Sequence, residues 1–199
     1  MNNLLRIDTS TRKIDSHSRD LANRLEKKWK EKNTDAQVSY RDLSKTEIPH
    51  LTQDFIKTMY APNNDRDATE NATLALSDEL IAELRNADTI LLSTPMFNFS
   101  VPSVLKAYID QVSRVGETFS MDESGYTGLL IGKKLIIAAA YGADFKDMRE
   151  MDFVEPYLKS LFSFLGFSDI EYFAIEGTSM LSEETIEASK AKLVKLFQS

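Results

Sequence analysis

Five short strand-like runs, separated by helical patterns, constrain the fold of this 199-residue chain most strongly. The fourth run is continuously apolar, which is typical of a strand that lies inside a sheet and is covered on both faces. Strands that alternate with helices predict a parallel sheet with helices on both sides. The predicted strands are 4–8, 38–40, 88–93, 135–140 and 170–175.

Apolar residues three or four positions apart predict the helices between these strands. Leu21, Leu25 and Trp29 fall on one stripe of the first helix, for which Ser16 or Ser18 offers an N-cap. No repeat or linker divides the chain, so we expect one domain over 1–199. The other predicted elements are helices through 76–86, 102–112, 153–165 and 182–197, a hairpin at 118–128 and a surface loop at 62–65.

The composition excludes several classes of function. The chain has no cysteine, which removes disulfides, thiolate nucleophiles and cysteine-ligated metals, and its two histidines are too far apart to suggest a metal pair. A net charge of −7 with dispersed Lys and Arg argues against nucleic-acid binding. No apolar run approaches the roughly 18 residues of a membrane helix, and the N-terminus lacks a signal-peptide pattern. We therefore expect a cytoplasmic protein without a nucleic-acid or membrane partner and without a metal site.

Ligands of such sheets bind at the carboxyl ends of the strands, where the strand order reverses. The loops at 9–18, 94–101 and 140–147 follow the first, third and fourth strands and are therefore the candidates for a binding site. The first of them contains no glycine, because all seven glycines lie at or beyond Gly116. A dinucleotide-binding G-x-G-x-x-G motif and a P-loop both need glycine there, so both are disfavoured.

The first loop offers hydroxyl groups beside a helix N-terminus, a combination that suits a terminal phosphate monoester. The alternative is that Ser16 and Ser18 only cap the helix, which is a common role for serine. The candidate residues of this loop are Ser10, Ser16, His17 and Ser18.

The second loop places two aromatic rings and a methionine at the end of a strand, between Pro95 and Pro102. Exposure of these apolar side chains favours a flat ligand that covers them, and the amide of Asn98 matches the polar edge of such a ring. The alternative is that the rings fill core or an interface. The candidate residues are Met96, Phe97, Asn98 and Phe99.

In the third loop, Gly142 would let the backbone approach a ring closely, although a turn alone would also explain it. The candidate residues here are Ala140, Tyr141, Gly142 and Ala143.

The block 94–110, together with 114–119, 128–134, 41–43 and 76–80, resembles the FMN-dependent NADH-azoreductases, also described as NAD(P)H:quinone oxidoreductases of the flavodoxin-like superfamily. The resemblance runs over nearly the whole chain. It implies a flavodoxin-like α/β fold with a five-stranded parallel sheet in the order 2-1-3-4-5. It also implies a homodimer with two active sites at the subunit interface.

The resemblance assigns a role in tight, non-covalent FMN binding to each of the three loops. The residues implied for the phosphate and the ribityl chain are Ser10, Ser16, His17 and Ser18. The residues implied for the isoalloxazine ring are Met96, Phe97, Asn98 and Phe99, with Ala140, Tyr141, Gly142 and Ala143 closing over its pyrimidine side. Relatives usually carry Ser-Arg-Gly-Gly in this last loop, so a hydroxyl and a guanidinium group are missing here.

The function implied by the resemblance is the transfer of a hydride from NADH or NADPH to quinones and azo compounds in a ping-pong cycle. No catalytic side chain is expected, because the cofactor carries the redox chemistry. Two alternatives stay open, an electron-transfer flavodoxin and a non-catalytic flavin-binding or sensor module. The altered third loop favours the sensor, whereas the flap at 119–128 favours a substrate pocket.

The helix predicted at 153–165 carries apolar side chains on more than one face. A sheet buries one stripe of a helix, so the surplus predicts a second buried surface, which we assign to a partner subunit. The alternative is that a neighbouring loop of the same chain covers it. The Asp152 and Glu155 pair before this helix also predicts a capping box.

Overall fold

The computed structural model describes residues 2–61, 66–123 and 125–197. The predicted surface loop at 62–65 and Ser124, in the turn of the predicted hairpin, lie outside these ranges.

A five-stranded parallel sheet organises the described residues, and its strand order confirms the predicted flavodoxin-like arrangement. The strands of this sheet are β1 (Asn3–Asp8), β2 (Gln37–Asp42), β3 (Thr89–Pro95), β6 (Lys134–Ala140) and β7 (Asp169–Ile175), and the predicted hairpin consists of β4 (Phe119–Asp122) and β5 (Gly125–Gly128). The order across the sheet is β2-β1-β3-β6-β7. Successive strands are thus added on one side of β1 and then on the other, and the switch lies between β1 and β3, where a ligand site is expected.

Helices cover both faces of the sheet, as the alternating pattern predicts. The helices are α1 (His17–Lys32), α2 (Gln53–Met59), α3 (Ala68–Asn86), α4 (Ser103–Val112), α5 (Glu155–Leu165) and α6 (Glu183–Leu196), and Arg149–Met151 forms a short 3₁₀ helix. One apolar core lies between the sheet and α1 with α6, and a larger one lies between the sheet and α3, α4 and α5. None of the helices in the described ranges has the length and apolar composition that a bilayer crossing needs.

The predicted capping box before α5 is not formed, and the helix begins two residues later than expected. The N-cap is Val154, and the carboxylate of Asp152 instead accepts hydrogen bonds from the N–H groups of Val154 (2.9 Å) and Glu155 (3.2 Å). One carboxylate therefore satisfies two donors that α5 cannot satisfy itself.

The hairpin packs directly against the end of α5 and covers part of its surplus apolar face. The ring centroids of Phe119 and Phe164 lie 4.8 Å apart, and those of Tyr126 and Phe164 lie 5.6 Å apart. A Cβ atom on Gly128 would come within 2.2 Å of the backbone nitrogen of Gly166, so only glycine permits this approach. A segment of the same chain therefore covers Phe164, whereas Phe153 remains 56% exposed.

Buried charges join β1 to α1 beneath the carboxyl end of the sheet. The guanidinium group of Arg6, 6% exposed, donates to Asp8 (3.2 Å), Glu26 (3.0 Å) and Asn23 (2.6 Å). Such a group is stable in the core because each of its partners is fixed and supplies an oxygen acceptor.

We expect Arg6→Met to lower the free energy of unfolding by about 3 kcal/mol, because the carboxylates of Asp8 and Glu26 lose their shared buried partner. Arg85→Met is the matched control: the side chain of Arg85 is 48% exposed in its pair with Glu117. Loss of a surface pair should cost less than about 1 kcal/mol. Urea denaturation measures both changes, and equal losses would contradict the role assigned to Arg6.

Candidate active site

The loops after β1, β3, β6 and β7 surround a cleft of about 260 Å³ at the carboxyl end of the sheet. The predicted site residues that line it are Ser10, Ser16, His17, Ser18, Met96, Phe97, Ala140 and Gly142. The remaining four, Asn98, Phe99, Tyr141 and Ala143, lie in the same loops without lining this cleft. The fold thus brings together residues from all three of the predicted loops.

The first turn of α1 forms the polar end of the cleft. Ser16 is the N-cap, and its hydroxyl oxygen accepts a hydrogen bond from the N–H group of Arg19 (3.4 Å). The N–H groups of His17 and Ser18 have no acceptor in their own helix turn and make no hydrogen bond with any described residue. Capping by Ser16 therefore leaves two backbone N–H groups in this turn that an anion could bind.

Arg19 fixes the shape of the loop after β1. Its guanidinium group donates to the carbonyl oxygen of Ser10 (2.7 Å) and to Asp42 at the end of β2 (2.8 Å), and it pairs with Asp8 (3.2 Å). Burial opposes the ionisation of Asp42, but hydrogen bonds from Arg19 and Ser44 outweigh it and hold the pKa of Asp42 well below its usual range. The carboxylate therefore stays charged and the loop stays tied to the sheet.

His17 lies beside this turn in a surrounding that disfavours its charged form. Partial burial lowers the pKa of His17 below its ordinary value, and the nearby cations Lys190 and Arg12 lower it further. The carboxylates of Glu183 and Asp20 oppose this effect only in part. At neutral pH a larger fraction of this imidazole is therefore uncharged than in an exposed histidine. The uncharged ring can both donate and accept a hydrogen bond.

A tight turn after β3 forms the aromatic end of the cleft. Phe97 and Ser100 exchange two backbone hydrogen bonds (2.9 and 3.1 Å), and between them Asn98 and Phe99 adopt φ values of +50° and +66°. Left-handed backbone costs about 1–3 kcal/mol at each residue other than glycine, so surrounding contacts must hold the turn. The turn leaves the rings of Phe97 and Phe99 40% and 43% exposed.

Two backbone donors of this loop are already used. The N–H group of Met96 donates to the carbonyl oxygen of Ala140 (2.9 Å), and that of Phe97 is used within the turn. The N–H groups of Asn98 and Phe99 make no hydrogen bond with any described residue. These two groups remain to meet the polar edge of a ring.

The third loop contributes its backbone more than its side chains. Ala140 and Gly142 line the cleft, whereas the ring of Tyr141 is fully buried on the other side of the loop. A Cβ atom on Gly142 would lie 3.0 Å from the hydroxyl oxygen of Ser179, and the carbonyl oxygen of Ala143 accepts a bond from the loop after β7. Gly142 therefore allows the close approach of this neighbouring loop.

The cleft also contains residues that the sequence patterns did not single out: Arg12, Pro95, Thr178 and Ser179. Thr178 and Ser179 follow β7, which lies next to β6 in the sheet, so their loop meets the same edge. The expected strand order 2-1-3-4-5 already places the fifth strand beside the fourth, and it is the signal that points to this loop. Arg12 adds a cation and also lines a neighbouring polar cavity of about 630 Å³.

The lining of this cleft thus combines a helix N-terminus, hydroxyl groups and a guanidinium group with the exposed ring of Phe97. The arrangement can hold a ligand in which a phosphate and a flat ring are joined by a flexible polar chain. The fold and the site together define a flavodoxin-like α/β protein with a ligand cleft of this kind.

Comparison with known proteins extends this classification to a family. The chain matches the family model described as a flavodoxin-like fold over residues 2–197. It is 42% identical to the FMN-dependent NADH:quinone oxidoreductase of Hydrogenovibrio crunogenus, over 92% of this chain and 91% of the relative. It is 38% identical to the protein of the same name from Nostoc punctiforme, over 86% and 85% of the two chains. The chain therefore belongs to the flavodoxin-like family that contains the FMN-dependent NADH:quinone oxidoreductases, as the resemblance predicted.

A solved structure supports the same fold. The azoreductase from Bacillus anthracis str. Sterne superposes with a TM-score of 0.90 at 26% identity, covering 98% of both chains.

Proposed function

We propose that this protein binds FMN in the cleft and uses it to reduce quinones and azo compounds with NADH or NADPH as the electron donor. The observation that carries the proposal is a cleft whose lining combines a helix N-terminus that has free N–H groups with an exposed aromatic turn. The names of the relatives, FMN-dependent NADH:quinone oxidoreductase and azoreductase, support it. Family membership and the flap favour an enzyme over a sensor module or an electron-transfer flavodoxin.

The residues of the cleft fit FMN. The free N–H groups of His17 and Ser18, with the hydroxyl groups of Ser10 and Ser16, would hold the phosphate and the first part of the ribityl chain. The flavin supplies two-electron chemistry: in a ping-pong cycle a hydride leaves the nicotinamide, and two electrons and two protons then convert a quinone to a hydroquinone.

At the ring end, Met96 and Phe97 would support the flat face and exclude water from it. The N–H groups of Asn98 and Phe99 would donate to the polar edge, where negative charge increases on reduction. Ala140 and Gly142 would close over the pyrimidine side of the ring with backbone atoms. We assign no catalytic side chain, since these groups bind and orient rather than exchange protons.

The same proposal places the protein in the cytoplasm and treats residues 1–199 as one domain. One sheet that contains strands from both halves of the chain supports a single domain. No acidic or basic residue of the cleft can be tied to the ribose 2′ position of the donor, so both nicotinamide nucleotides remain in the proposal.

The proposal predicts that the purified protein, supplied with FMN, shows flavin absorbance bands that bleach on anaerobic addition of NADH or NADPH. Subsequent addition of a quinone should restore the bands, because the same site carries both half-reactions. Repeated turnover distinguishes an enzyme from a sensor, which is reduced once and stops. A protein that takes up no FMN would overturn the proposal.

A matched pair of cap variants separates phosphate binding from helix capping. Ser16→Ala removes the cap of α1, and Ser182→Ala removes the equivalent cap of α6, whose hydroxyl oxygen accepts from the N–H group of Thr185 (3.3 Å). Each should lower the free energy of unfolding by about 1 kcal/mol. Only Ser16→Ala should weaken FMN binding, by about tenfold, since it alone removes a hydrogen bond to a charged phosphate. Equal FMN affinities of the two variants in fluorescence titrations would contradict the assignment.

A homodimer belongs to the same proposal. An apolar groove of about 650 Å³ runs along α5 beside the aromatic turn and is lined in part by Val101, Phe153, Pro156 and Tyr157. Phe153 lies just before the start of α5, and its N–H group donates to the carbonyl oxygen of Phe99. This groove therefore adjoins the aromatic turn. A second copy of the chain seated there would cover the groove and complete both sites.

We expect the wild-type protein to be a dimer at micromolar concentration by light scattering, and Phe153→Glu to shift it towards the monomer. The charge would have to be buried in the apolar interface without a partner. Leu196→Glu, at the end of α6 on the other face of the sheet and 60% exposed, should leave the mass unchanged. A monomeric wild-type protein would count against the dimer without affecting the cofactor assignment.

A further inference from the structure

Tyr141 belongs to the third loop of the cleft, but its side chain does not face the cleft. Its neighbours Ala140 and Gly142 line the cleft, whereas its own ring is fully buried. Its backbone N–H group donates to Ile175 (2.8 Å), and its carbonyl oxygen accepts from the N–H and hydroxyl groups of Thr178 (3.0 and 2.9 Å). The position of this residue is therefore fixed by both its backbone and its ring.

The hydroxyl group of Tyr141 donates to the carboxylate of Asp152, with distances of 3.1 and 3.0 Å to the two oxygens. Asp152 is 5% exposed, and no lysine or arginine of the described residues forms an ion pair with it. Burial and the charge of Asp152 raise the pKa of Tyr141 well above its usual value, so the hydroxyl group keeps its proton and remains a donor. Tyr172 makes a further hydrogen bond to the same hydroxyl group.

Asp152 also binds the start of α5. Its Oδ1 atom accepts hydrogen bonds from the N–H groups of Val154 and Glu155 but not from that of Phe153. That group donates to the carbonyl oxygen of Phe99 (3.1 Å). The hydrogen bond from Tyr141 to Asp152 and that from Phe153 to Phe99, joined by the backbone of segment 152–155, thus connect the third loop to the aromatic turn.

The aromatic turn needs such support. Asn98 and Phe99 both have left-handed backbone, and a turn under this strain relaxes when its surrounding contacts are lost. The hydrogen bond from Phe153 is the contact with another segment of the chain that fastens the backbone inside this turn.

We propose that Tyr141 is a positioning residue: its hydrogen bond to Asp152 holds segment 152–155 in the place from which Phe153 fixes the aromatic turn in its ring-binding shape. The proposal rests on the proposed function, because the ring in question is that of FMN. A phenylalanine at this position would fill the same space, but Asp152 would keep only its backbone donors. The buried carboxylate would then turn towards water and release the start of α5.

Hydrogen exchange of the FMN-free protein tests the positioning role directly. Tyr141→Phe should speed the exchange of the N–H groups of Phe97, Ser100 and Phe153 about tenfold, since one hydrogen bond to a charged group supports them. Tyr172→Phe is the matched control, because it removes a neighbouring half-buried hydroxyl group but leaves the bond between Tyr141 and Asp152 in place. Unchanged exchange in Tyr141→Phe, or an equal increase in both variants, would overturn the proposal.

The same two variants, loaded with FMN, give the functional readout. Tyr141→Phe should bind FMN about tenfold more weakly and should change the visible circular dichroism of the bound flavin, which reports how the ring is seated. Tyr172→Phe should change neither beyond about twofold. A loss of stability in Tyr141→Phe with unchanged affinity and dichroism would reduce Tyr141 to a core residue. Failure of the wild-type protein to bind FMN would instead refute the proposed function, while hydrogen exchange would still decide the role of Tyr141.

Discussion

Arg19 joins β1, β2 and the loop after β1 through the hydrogen bonds that a partly buried guanidinium group can make with carboxylate and carbonyl oxygens. It holds the carbonyl oxygen of Ser10, the end of β2 at Asp42 and the end of β1 at Asp8. Arg6 continues the network beneath it. Without these contacts the glycine-free loop after β1 would have no fixed path. The first turn of α1 presents its free N–H groups to the cleft because this network holds the loop away from them.

The fold could be predicted from the sequence because its elements are locally consistent. The apolar run in β6 and the alternation in β2 indicated a central and an edge strand, and the sheet places them so. Less predictable were the boundaries. The start of α5 depends on where the carboxylate of Asp152 reaches its backbone donors, which is a tertiary detail. The sequence pattern also could not show which apolar side chains of the predicted helix the same chain would cover. The hairpin covers Phe164, whereas Phe153 stays exposed.

For the candidate site, the sequence indicated which loops meet but not which way their side chains turn. Loop positions follow from strand order, and so Ser10, Ser16 and Met96 fall on one cleft as expected. The direction of Tyr141 depends on a buried partner in a distant segment, Asp152, which no local pattern could identify. The loop after β7 was not among the candidates, because its Thr178 and Ser179 have no distinctive spacing in the sequence. They line the cleft because β7 lies beside β6 in the sheet.

The two ends of the cleft are held in physically different ways, so substitutions at the two ends have different consequences. The polar end of the cleft is fixed by charged groups with several partners each, so one substitution there would disturb both the loop and the fold. At the ring end, a turn with left-handed backbone is held by a short series of contacts that begins at Tyr141, in the third loop. Under the proposed function, substitutions in that series would alter how the ring is seated while the polar end of the cleft and the sheet stay intact.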